Sequence, residues 1–239
     1  MHPTRDPAPA QRSLAAAPIA ALLTAALLAG CASERAYRRA IADAAVMEPA
    51  EALPLAPVTA DPVRVATWTE ERHLGSYPEG ARMEITWDLL WVALESEERE
   101  RCAAFPRHGL HRRLEQLLGL SPTGEPRRYV VLEVARSALR RPCFDPDPAA
   151  ERCPLEPAPG VPQDFLDWLG RNALASYRVP GGFPWTRLGY TYDWRPGGPE
   201  YGVAEFVLFQ GTEARVVAIL TAEEFCREEA AAGRGAATP

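Results

Sequence analysis

Three runs near the C-terminus constrain the fold more than any other feature: FPWTRLGYTYDW (183–194), GVAEFVLF (202–209) and ARVVAIL (214–220). All are rich in β-branched and aromatic residues, and they are separated by RPGGPEY and QGTE, which carry Gly. Strand-like runs broken by such turns predict an antiparallel three-stranded meander. Further strands are expected at VRVATWT (63–69), MEITWDLLWVAL (83–94) and RRYVVLEVAR (127–136), on alternation and β-branched content.

Helical signals lie between and around these runs. HRRLEQLLGL (111–120) sets Leu114, Leu117 and Leu118 on one face and stops at Gly119. QDFLDWLGRNALASY (163–177) spaces Phe165, Leu166, Leu169 and Leu174 helically, with Asp164 as a candidate cap. TAEEFCREEAAAG (221–233) opens with Thr221 three residues before Glu224, a capping box. The mixture lacks a βαβ rhythm, so the expected class is α+β: one domain over 63–228 with an antiparallel sheet, flanking helices and a frayed tail at 229–239. Ahead of it, ERAYRRAIADAAVM (34–47) has helical propensity, and the four prolines of EPAEALPLAPVTADP suggest a semi-stiff linker within a tether over 31–62.

The first thirty residues read differently. Arg5 and Arg12 precede SLAAAPIAALLTAALLAG, a positive segment followed by an apolar one ending in small residues, the pattern of an export signal. The apolar run from Leu14 to Ala29 is shorter than the ~20 residues that span a bilayer comfortably, and Pro18 interrupts it. Its end, Leu28-Ala29-Gly30-Cys31 after Leu27, resembles the lipobox of bacterial lipoproteins. That resemblance implies cleavage before Cys31, a diacylglyceryl thioether on its sulfur, and fatty acyl chains of the palmitate type. At ~0.8 kcal/mol per buried CH₂, two or three such chains hold a protein on a membrane almost permanently. Ala32 stands where an Asp favours inner-membrane retention in that family, so the resemblance points to the outer membrane, facing the periplasm. PWTRLGYTYDW also resembles a segment of exported bacterial proteins, with no activity attached to it.

If Cys31 carries lipid, four thiols remain: Cys102, Cys143, Cys153 and Cys226. An even number in an oxidising compartment suggests two disulfides. Of three pairings, Cys143–Cys153 with Cys102–Cys226 is favoured, because the FDPDPAAER loop has no other reason to stay ordered. On the loop-entropy argument the short closure contributes ~2.5–3 kcal/mol and the long one ~4–5. A four-cysteine zinc site would require closely spaced Cys pairs, which the sequence lacks.

Chemistry is sparsely signalled. The 26 basic residues against 32 acids give a net charge of −6 without a basic cluster, arguing against nucleic-acid binding. His108 and His111 have no carboxylate spaced to complete a metal site, DPDP (145–148) lacks the glycine turn of a calcium loop, and no metal or other cofactor is expected. Nucleophile-elbow, zincin and phosphate-loop signatures are missing. On the strand 183–194, Leu188, Tyr190, Tyr192 and Trp194 alternate with Arg187, Gly189, Thr191 and Asp193. Glu205 on the expected partner strand would complete an Arg187–Asp193–Glu205 patch. One reading is a shallow ligand site with Arg187 as anion clamp and Gly189 as the gap. The other is a sheet with one aromatic core face and one solvated, ion-paired face. The expectation drawn is a non-catalytic envelope lipoprotein, in contact with the membrane through its anchor and with a ligand or envelope protein partner. The alternative is an anchored hydrolase using Asp193 or Glu205 with Arg187.

Overall fold

The computed structural model describes residues 32–178 and 180–227. The export signal, Cys31 and the tail lie outside the described residues. Seven strands form: β1 (Val63–Glu70), β2 (Arg82–Glu84), β3 (Leu89–Leu94), β4 (Arg127–Val134), β5 (Tyr190–Tyr192), β6 (Tyr201–Phe209) and β7 (Glu213–Leu220). The helices are α1 (32–44), α2 (Glu95–Ala103), α3 (Leu110–Leu117), α4 (Gln163–Ser176) and α5 (Ala222–Phe225). All strand pairs are antiparallel, in the order β2-β7-β4-β1-β3-β6-β5. The single α+β domain with an antiparallel sheet is therefore as expected. Among the described residues no helix is long and apolar enough to cross a membrane.

The meander is not. β5 pairs with β6, but β6 pairs onward with β3 and β7 with β4 and β2. QGTE does not reverse the chain into a hairpin; it carries it round a corner. The Gln210 N–H donates to the Asp88 carbonyl at 3.0 Å, the Gly211 N–H to that of Ile85 at 2.8 Å, and the Ile85 N–H to that of Thr212 at 2.9 Å. From the Glu84–Glu213 pair to the Leu89–Phe209 pair, one chain advances five residues and the other four, a one-residue irregularity at the bend. Gly211, at φ +85°, supplies the left-handed backbone such a corner needs. The β2–β3 run and the β6–β7 run thus stay side by side through the corner, and the sheet curls back on itself. The expected strand 83–94 is split at that corner into β2 and β3.

Curling gives the sheet an inner and an outer face, and period-two alternation fills them separately. Val65, Val92, Val130, Leu132, Phe206 and Val216 make the inner core, where burial of each such side chain contributes ~1.5–3 kcal/mol. On the outer face Trp68, Tyr129 and Val131 meet Leu110, Leu114 and Phe225 from α3 and α5, while Phe165 and Leu169 of α4 pack with Trp91 and Trp185. Leu174, expected on the packed face of α4, is 78% exposed.

Both disulfides form as expected, Cys102–Cys226 joining α2 to the end of α5 and Cys143–Cys153 clasping the DPDP loop. Thr221 and Glu224 make the expected reciprocal cap, although α5 ends at Phe225. The segment read as a linker behaves otherwise. The compact body begins at Ala36, and Tyr37, Ile41, Ala52, Leu55 and Val58 are all buried in it. Pro49 opens a short 3-10 turn (Pro49–Glu51), and the apolar residues between the prolines are placed where sheet and loops cover them.

Candidate functional site

The residues singled out on the 183–194 run do not form one patch. Strand geometry starts only at Tyr190; before it, Arg187 and Gly189 both have positive φ, 59° and 79°. This looped approach breaks the alternation. Arg187 donates from Nη2 to the Ala45 carbonyl at 2.8 Å, and its guanidinium lies over the Tyr177 ring at 5.2 Å. Burial of Tyr177 pushes its hydroxyl up to about 12. Asp193 is held by Arg113 through both carboxylate oxygens, and its Oδ1 also accepts from the Arg195 N–H at 3.1 Å. No hydrogen bond or ion pair joins any two of Arg187, Asp193 and Glu205 among the described residues. The gap at Gly189 is already filled: a Cβ there would lie 2.8 Å from Cys153 Sγ and 2.9 Å from a Leu55 methyl. Neither face is solvated, since Thr191 and Asp193 are as buried as Tyr190 and Trp194.

Glu205 belongs to a different site. β1 and β3 pair only at Val65–Leu94 and Ala66–Ala93. The next rungs of the ladder, Thr67 opposite Val92 and Trp68 opposite Trp91, are not made. A cavity of about 80 Å³ occupies that seam, lined by those four residues and by Glu98, Thr191 and Glu205. Ala66, Ala93 and Glu205 lie in one row across β1, β3 and β6, so two small side chains leave room beside the carboxyl. Glu205 Oε2 is shut off from solvent and has no hydrogen-bond partner, and burial raises its pKa to about 8. Glu98 projects from α2, accepts the Tyr129 hydroxyl at 2.7 Å, and is likewise raised to about 8, first by burial. The Trp68 indole Nε1 is also buried without a partner. The Trp68 ring meets His111 at 4.7 Å and Tyr129 at 5.9 Å between centroids, and the Arg127 guanidinium lies 5.6 Å from its centre.

A second cleft, about 240 Å³, lies where the segment after α1 meets β5 and β6, lined by Tyr190, Tyr192, Glu51 and Glu200 among others. Carboxylate oxygens of Asp43, Glu51 and Glu200 come within 4.8 Å of one another there. Three carboxylates are fewer than the six or more oxygens a calcium or magnesium ion takes. The Tyr192 hydroxyl already donates to Asp43 Oδ2 at 2.9 Å, and burial raises the pKa of both Tyr190 and Tyr192. His108 and His111 belong to neither group.

Comparison with protein-family models, with curated proteins and with solved structures gives no match for this chain.

What the seam can do follows from its two acids. Acid–base catalysis by paired carboxyls needs environments that push their pKa values apart, one kept protonated and one ionised. Here burial moves both upward. Two carboxyls shifted the same way give no division into one acid and one base, and both stand beside indole rings. Sequence reasoning found Glu205 but not Glu98, because ESEERERCA carries no apolar stripe. The buried face of α2 is instead Glu95, Glu98, Arg99 and Cys102, at helical spacing but mostly charged.

Proposed function

We propose that this chain is a lipid-anchored envelope lipoprotein whose α+β domain binds a ligand or partner on the periplasmic side of the membrane, without catalysing a reaction. The observation that carries this reading is the fate of the five cysteines. Four are consumed as Cys102–Cys226 and Cys143–Cys153 inside the folded body, which fits an oxidising compartment. The fifth is Cys31, at the end of an apolar leader and in a lipobox-like sequence.

Mass spectrometry of the mature N-terminus tests it. The expected product begins at Cys31 and carries a diacylglyceryl group with a further acyl chain, and fractionates with the outer membrane. An unlipidated product beginning elsewhere overturns the anchor.

A hydrolytic reading has one observation in its favour, the two carboxyls of the seam, Glu98 buried and Glu205 partly so. It fares less well because both acids are shifted in the same direction, and because Arg187 and Asp193, its other members, are engaged with Ala45 and Arg113.

A further inference from the structure

The seam between β1 and β3 combines four things that ordinary packing would remove. Two ladder rungs are missing in the interior of a sheet, although β1 pairs with β4 along its whole length. The space left is a cavity rather than filled core. A carboxyl oxygen faces burial without a donor, and an indole N–H faces it without an acceptor. Another acid, the fully buried Glu98, also lines the cavity. Unsatisfied buried polar atoms are costly, and natural structures keep few of them without a reason.

The charge of the walls says what would satisfy them. None of the residues lining the cavity is basic, two are acids, and two are tryptophans; the Trp68 ring is already met by Arg127, His111 and Tyr129, so the acids carry the attraction for a cation and the indoles bound the space. An ammonium group brings donors for the carboxyl oxygens and a charge for which the ionised carboxylates are the natural partners. A hydroxyl on the same molecule would accept from the Trp68 N–H. Size sets the upper limit. One water needs ~10–15 Å³ of such volume, so a cavity of about 80 Å³ holds a molecule of a few heavy atoms.

We propose that the seam between β1 and β3 is a binding site for a small primary ammonium ion bearing a hydroxyl, with Glu205 and Glu98 as its anionic partners and Trp68 and Trp91 as its walls. This rests on the reading of the domain as a binding module, and names its ligand class. It does not depend on the lipid anchor: an unlipidated Cys31 would leave it standing, and failure of amine binding would leave the anchor standing.

The test uses the full chain in detergent, titrated with ethanolamine and, separately, with ethylene glycol, a neutral molecule with the same number of heavy atoms. Tryptophan fluorescence reports occupancy, because two walls of the site are indoles, and calorimetry gives the affinity. The expected result is saturable binding of ethanolamine, at least tenfold tighter than any binding of ethylene glycol. Glu205→Gln keeps the size of the side chain and should abolish that preference while the thermal midpoint stays close to the parent's. Ala93→Val, which puts methyl groups into the cavity beside Glu205 while keeping both acids, should abolish binding as well. Equal responses to the two probes, no saturation with ethanolamine, or undiminished ethanolamine binding by a folded Glu205→Gln or Ala93→Val variant overturns the proposal.

Discussion

Arg113 and Asp193 meet as a fork on a carboxylate, with Arg113 Nη1 3.0 Å from Asp193 Oδ1 and Nη2 on Oδ2. The pair ties α3 to the chain just beyond β5. Asp193 is fully enclosed and Arg113 nearly so, its guanidinium resting over the Phe105 ring at 4.3 Å. Ionic partners at this depth owe their persistence to each other, since either alone would be a charge without water.

Arg113→Ala is therefore expected to destabilise the domain by ~3–5 kcal/mol, the range for stranding a buried charge. Replacing both partners by apolar residues, Arg113→Met with Asp193→Leu, should cost much less. Urea unfolding of Arg113→Met, of Asp193→Leu and of the double variant closes the cycle; additive losses would show that the pair is not coupled.

Glu98 gives the fold a pH dependence of predictable sign. Its folded-state pKa, about 8, lies above the ordinary carboxyl value of 4.5, so folding favours the protonated form. The stability it contributes is fully present below about pH 4.5 and is lost as pH rises through about 8. At ~1.4 kcal/mol per unit of displacement, the loss across that window is on the order of 3–5 kcal/mol. Glu98→Gln, which can still accept the Tyr129 hydroxyl, should flatten the decline and be the more stable protein at pH 8. Denaturation midpoints at pH 5 and pH 8 decide it; parallel curves for parent and variant would show that Glu98 is ionised throughout.

Gly189 is expected to tolerate no side chain. Its φ of +79° disfavours L-residues, and an added Cβ would sit 2.8 Å from Cys153 Sγ. Gly189→Ala should cost ~2 kcal/mol or more and lower the thermal midpoint. Gly80, with a similar φ and open space around it, is the control: Gly80→Ala carries the backbone term without the collision and should cost less.

The local signals in this sequence were legible wherever one face of an element is apolar. β1, β4, α3, α4 and the Thr221 cap all read directly, as did the two disulfides. Elements whose buried face is charged were silent. α2 buries Glu95, Glu98 and Arg99, so its helical period is invisible to hydrophobicity, and with it half of the seam. Long-range arrangement was hidden too. Gly211 signals a bend, but whether a bend reverses a chain or only turns it depends on the partner strand, here the 85–88 corner. The Arg187–Asp193–Glu205 patch fails to form, and for a local reason: Arg187 and Gly189, both at positive φ, break the alternation before β5. Glu205 itself was legible, but the cavity it lines is shared with Ala66, Ala93 and Glu98 and not with Arg187.

The two-rung junction between β1 and β3 also governs how the sheet moves. Strands β2, β7, β4 and β1 form one leaf, and β3, β6 and β5 another, sharing only Val65–Leu94 and Ala66–Ala93 along that line. Thr67 and Trp68 are paired with β4, and Trp91 and Val92 with β6, so of their backbone groups only those directed away from those partners border the gap. Deuterium uptake should therefore be fastest along this crease, and an occupant wedged into it would slow exchange on both leaves at once.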